Sequence, residues 1–187
     1  MTARIVLHLR SRRVPSSAAA LAAVACALWP VGLLVDGPAD PRLVALAVAG
    51  GVTAGSVGLA GQDPDLDRTA ALRWAPRRAV HLLAVGATVA AVLLLVGAVG
   101  VQLGTVEVLL RTCAGAAGLV GLGAALWGAR QAWLLPLGWF AVVVFAPVRD
   151  GFPDWVLAPP GSTAASWTAA VLLTAGTATY AVFGPRR

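Results

Sequence analysis

Residues 79–101 read AVHLLAVGATVAAVLLLVGAVGV, follow directly on Arg77–Arg78, and contain no Asp, Glu, Lys or Arg. Roughly 20 helical residues cross a hydrocarbon core of about 30 Å, so this stretch is long enough to span a membrane. Its Ala, Leu, Val and Gly run continuously rather than alternating, which argues for a helix and against a strand. Five similar runs flank it: Ser16–Val35, Leu43–Ala60, Val106–Leu126, Trp133–Val148 and Ser162–Phe183. The expected fold is all-α, a polytopic integral membrane protein with about six transmembrane helices. The second run is slightly short. The fifth holds Pro136 and Pro147, and it either reaches back toward Ala129 or forms a broken or tilted helix.

Composition agrees with this reading. The chain has 187 residues, 59% of them hydrophobic and 12% charged, whereas charged residues make up about a quarter of a soluble domain. Residues 1–15 form an expected interfacial segment and residues 16–187 one transmembrane domain, which leaves no room for a soluble catalytic domain. The first apolar run lacks a small-residue cleavage site before a mature soluble domain, so it reads as a retained helix, not a signal peptide. All 14 basic residues are Arg in a chain rich in Ala, Gly and Val, a bias of high-GC bacterial sources. The bacterial plasma membrane is the expected location. Cys26 and Cys113 fall inside spans with no pairing or metal-ligand spacing, and read as small buried apolar residues.

The arginines set the orientation. Arg4, Arg10, Arg12 and Arg13 precede the first run, and Arg68, Arg73, Arg77 and Arg78 lie between the second and third. Arg130 lies between the fourth and fifth, and Arg186–Arg187 follow the sixth. The remaining gaps hold Arg42, Arg111 and Arg149 beside Asp36, Asp40, Glu107, Asp150 and Asp154. Arginine concentrated in every second gap is the positive-inside pattern, with both termini in the cytoplasm. The net charge of +6 is spread along that rim, where topology and anionic lipid headgroups account for it. There is no basic folded surface, so nucleic acid is not an expected partner.

Two cytoplasmic places carry more pattern than orientation needs. In residues 1–15, Ile5, Leu9 and Val6 can share a helical face, with Arg4, His8 and Arg12 on another, a pattern that fits a short amphipathic helix on the membrane surface. A frayed basic tail is the alternative. The second place is the polar connection Gly61–Arg78, containing Asp63, Asp65, Asp67, Arg68, Arg73, Trp74, Arg77 and Arg78. Its alternating aspartates resemble the start of a calcium loop, but the Gly and Glu such a loop needs at its sixth and twelfth positions are missing. It reads as a polar elbow facing a cytoplasmic partner, or as a solvated loop whose arginines only fix topology.

On the other side, Glu107 and Arg111 stand one helical turn apart at the start of the fourth run. Glu four residues before Arg is the favoured order for a same-face pair, and intramembrane charges usually line interiors. Snorkelling of Arg111 to the headgroups is the competing outcome. Trp29, Trp127, Trp133, Trp155 and Trp167 fall near run ends, as interfacial belts do, whereas Trp139 is deeper. Phe152, Trp155, Val156 and Leu157 either dip into the outer leaflet or belong to an ordinary loop. In the second run, Ala47, Gly51 and Gly55 repeat every four residues, a spacing that lets helices approach closely in lipid.

No catalytic, cofactor or metal motif is present. His8 and His81 lack ligand spacing, and no hydrolase triad, phosphate loop or zincin motif occurs. The Asp63/Asp65/Asp67 group could serve intramembrane lipid chemistry only with a second acidic motif, which the chain lacks. An enzyme is not expected.

Several strings are similar to the membrane subunit of type-2 ABC exporters, in a short form found among actinobacteria. They are Gln62-Asp-Pro-Asp-Leu-Asp-Arg-Thr69 with Trp74-Ala-Pro-Arg-Arg78, Gly128-Ala-Arg-Gln-Ala-Trp-Leu-Leu-Pro136, and Tyr180-Ala-Val-Phe-Gly-Pro-Arg-Arg187. The resemblance implies a permease-like exporter subunit with no ATP hydrolysis of its own, and as partners an ABC ATPase subunit and a second membrane subunit, the same or different. It implies that Arg10, Arg12, Arg13 and the Asp63–Arg78 loop contact the ATPase. The rival expectation is a non-transporting structural or assembly membrane protein.

Overall fold

A computed structural model describes residue 37 and residues 39–56, 74–145 and 155–185. These contain α1 (Pro41–Ser56), α2 (Trp74–Ala98), α3 (Val106–Trp127), a short 3-10 turn (Ala129–Gln131), α4 (Leu134–Phe145) and α5 (Thr163–Phe183), with no strand among the described residues. The protein is therefore all-helical where described. Three helices, α2, α3 and α5, are long and apolar enough to cross a membrane, and the chain is a membrane-embedded protein. The expected first span and the amphipathic segment 1–15 lie outside the described residues.

Helix limits shift from the expected spans for local reasons. The chain enters α2 at Trp74 instead of Ala79, so Trp74, Arg77 and Arg78 belong to a helix, not to the preceding loop. Pro76 sits in the first turn, where the missing N–H has no helical partner to lose. At its far end α2 stops at Ala98, three residues before the expected Val101. Gly100 takes φ 108° there, and Val101 and Leu103 fold back into the core. The second expected span, Leu43–Ala60, begins earlier, at Pro41, behind Asp40, whose Oδ1 accepts from the Arg42 amide at 2.8 Å. The fifth starts at Leu134, one residue after the expected Trp133, and does not reach back as an α-helix to Ala129, because Gly128 (φ 93°) caps α3 and a 3-10 turn fills the gap. The twelve described residues of α4 rise about 18 Å.

α3 is the hub. It packs against α1, α2, α4 and α5, and most of its length is buried. Helix directions follow from which residues meet. A Cβ at Gly121 would lie 2.7 Å from Leu82 Cδ2, and one at Gly86 would lie 2.9 Å from the Cβ of Ala117, so α2 and α3 are antiparallel. Ala39 N–H donates to Gln102 O at 2.8 Å while Gly55 faces Val85, which makes α1 antiparallel to α2. Ala47, Gly51 and Gly55 are all buried on α1, so the small-residue repeat points into the bundle.

α3 and α5 run parallel and touch backbone to backbone. A Cβ at Gly176 would collide with the carbonyl oxygen of Gly118 and lie 2.8 Å from its Cα. One at Gly118 would collide with Leu172 O and lie 2.6 Å from Leu173 N, and one at Gly121 would lie 2.6 Å from Gly176 O. In lipid, apolar side chains gain nothing by leaving hydrocarbon, so close van der Waals contact between small residues drives association. Leu82, Val48, Val52, Val89, Leu93 and Val120 fill the space on the other side of α3 and are almost completely buried. Cys113 lies in that core, 3% exposed.

Candidate functional site

The alternating helix directions give the bundle two ends of different character. One end gathers the starts of α1, α3 and α5 and the finish of α2. It carries Asp40, Arg42, Glu107 and Arg111. The opposite end gathers the start of α2, the finish of α3 and α5, and the 3-10 turn, and carries Arg77, Arg78 and Arg130.

At the first end, Glu107, Arg111 and Gly115 follow one another every four residues and so share a face of α3. Thr105 caps this helix by accepting from Val108 N–H at 3.4 Å. Across from the face lies the segment 155–161, which leads into α5 through the Ser162 cap. The Arg111 guanidinium donates from Nη1 to Pro159 O at 3.2 Å and from Nη2 to Ala158 O. Glu107 accepts the Gly161 N–H with both carboxylate oxygens, at 2.9 and 3.1 Å. The six-membered ring of Trp155 rests on Gly115, where a Cβ would overlap its tip and lie 3.0 Å from Cζ2.

Arg111 is only 5% exposed, so it does not snorkel. Burying a guanidinium costs several kcal/mol. Two charge-assisted hydrogen bonds, each about 1.5–3 kcal/mol, offset that cost. They also satisfy carbonyls of a non-helical segment, which lipid could not do. Among the described residues the Nε of Arg111 and the Nε1 of Trp155 are buried without hydrogen-bond partners. The clasp is tightly determined. Replacing Gly115 by alanine should push Trp155 off α3 and lower stability by about 1–3 kcal/mol, as overpacking does. Thermal unfolding in detergent checks this; an unchanged melting temperature would remove the contact.

The structure thus brings together two features that the sequence left apart. The Glu107/Arg111 pair and the segment 155–161 meet, and each charged side chain reaches across to backbone groups at 158–161. Trp155, expected in an interfacial belt, is 3% exposed and turned inward with Val156. Trp127, Trp133 and Trp167 do face outward, 48%, 40% and 68% exposed. Trp139 is half-buried against the cluster that contains Trp155.

At the opposite end the Arg77 Cζ lies 5.6 Å from the centroid of the Trp74 ring, a cation–π distance. Arg77 is exposed, whereas Arg78 is half-buried. Gly184 (φ 68°) caps α5, its N–H donating to Tyr180 O at 2.9 Å, and a Cβ there would lie 2.8 Å from Arg78 Cζ. Arg78 therefore sits over a helix C-terminus, where the dipole favours positive charge. Arg130 is exposed on the 3-10 turn, and His81 is half-buried one turn further along α2. The coupling candidates Arg10, Arg12, Arg13, Asp63, Asp65, Asp67, Arg68 and Arg73 lie outside the described residues.

Sequence reading missed the partners of Gly115, Gly118 and Gly176. The available signal was the run Ala114–Gly118 with Gly121 and Gly123, denser in small residues than the repeat singled out in α1. Comparison with protein-family models, curated proteins and solved structures finds no match for this chain.

Proposed function

We propose that the protein is a six-span, permease-like subunit of an ABC exporter in a bacterial plasma membrane, with both termini cytoplasmic and ATP hydrolysed by a separate partner. The observation that carries this reading is the unequal charge of the two bundle ends. The end bearing Arg77, Arg78 and Arg130 has no carboxylate among the described residues, while at the other Asp40 and Glu107 balance Arg42 and the buried Arg111. By the positive-inside rule the arginine end is cytoplasmic. The Asp63–Arg73 stretch leads into the exposed Arg77 at that end, where an ATPase would dock.

Co-expression with a neighbouring ATPase gene and purification in mild detergent tests the pairing. Recovery of the chain without the ATPase would sink it. Charge reversal at Arg68 and Arg73 should then weaken ATPase coupling at least several-fold, while Arg77 and Arg78 are left in place, Arg78 because it packs on the α5 cap. The glycine contact between α3 and α5 favours a second reading, a non-transporting assembly subunit, because backbone-to-backbone packing leaves no passage between those helices. Transport that requires this chain in reconstituted vesicles excludes that second reading.

A further inference from the structure

We propose that Arg77, held against Trp74 at the start of α2, binds the phosphate of an anionic phospholipid headgroup. The first argument is depth. α2 has 25 residues, a rise of about 37 Å, against a hydrocarbon core of about 30 Å. The uncharged stretch Ala79–Ala98 fills that core, so Trp74–Arg78 overhangs into the headgroup layer. Tryptophan is the residue most at home there.

The second argument is orientation. Arg78 is half-buried against the Gly184 cap, whereas Arg77 is exposed and lies at cation–π distance from an indole. The ring holds the guanidinium nearby, and the exposure of Arg77 leaves N–H groups to face the headgroups. A planar fork of donors matches two phosphate oxygens, which an ammonium does not. The third argument is complementarity. Among the described residues this end of α2, α3 and α5 carries Arg77, Arg78 and Arg130 and no Asp or Glu. An anionic leaflet supplies the counter-charge for that excess.

The test reconstitutes the full chain in nanodiscs of phosphatidylcholine containing phosphatidylglycerol, and measures by native mass spectrometry the phosphatidylglycerol retained. Arg77→Gln should lower its enrichment about five-fold, the effect of one arginine near the surface. Trp74→Leu, which keeps the charge but removes the cation–π contact, should lower it in the same direction. Arg130→Gln removes the same charge from the same end and should change it less. Equal losses for Arg77→Gln and Arg130→Gln, or none for Arg77→Gln because an aspartate already neutralises it, would overturn the proposal. So would inorganic phosphate alone stabilising the detergent-solubilised protein as much as phosphatidylglycerol does. No ATPase is present in this assay, so its outcome is independent of the exporter reading.

Discussion

Replacing Gly176 by alanine is expected to force α3 and α5 apart and to lower stability by about 3 kcal/mol, at the upper end of overpacking effects. The added methyl would overlap the Gly118 carbonyl oxygen and lie 2.7 Å from its carbon. These are backbone atoms, so no rotamer change can relieve the clash and a whole helix must move. The reverse change, Gly118→Ala, meets Leu172 O and Leu173 N in the same way and should behave alike. Gly138→Ala is the control. It stands exposed on α4 with nothing within 4 Å of the new Cβ. Intrinsic helix propensity should then make it neutral or stabilising by up to about 1 kcal/mol. Unfolding in mixed micelles of mild detergent and dodecyl sulfate measures all three. If Gly176→Ala proves as stable as Gly138→Ala, the two helices do not meet through these glycines.

Arg111→Gln should release the segment 155–161 and destabilise the protein by about 2–3 kcal/mol. Two charge-assisted hydrogen bonds disappear, leaving the Ala158 and Pro159 carbonyls without donors. Removing the buried cation recovers part of the loss, because its desolvation is no longer required. Amide hydrogen exchange across 155–161 should quicken well before exchange in α2. Arg111→Lys separates this clasp from simple snorkelling. A snorkelling arginine is replaced by lysine with little effect, since both reach the headgroups. A single ammonium cannot reproduce the planar fork that serves two carbonyls, so here lysine should restore only part of the protection. Full rescue by lysine would exclude the clasp.

Much of the secondary structure was legible because hydropathy accumulates along the chain. Val106–Trp127 and Thr163–Phe183 lie within one residue of the expected limits. The start of α2 was misjudged because charge was read as loop. Trp74-Ala-Pro-Arg-Arg78 is polar enough to leave the hydrocarbon yet remains helical, since leaving lipid does not require leaving a helix. Arg111 shows the same limit at the candidate site. Its spacing from Glu107 announced a shared face, but the receptor for both is backbone 47–54 residues further on.

By itself, the sequence determined that this chain is helical and embedded in a membrane. Hydrophobicity and length are properties of single segments, and the bilayer reads them one segment at a time. The excess of arginine at one set of helix ends is likewise countable residue by residue. Only the tertiary structure decided that Gly118 meets Gly176, that Trp155 covers Gly115, and that Arg111 holds Ala158 and Pro159. Within lipid, helices gain little from hiding apolar surface, so shape and hydrogen bonding select their partners. Both are properties of residue pairs far apart in the chain, and no single segment contains them.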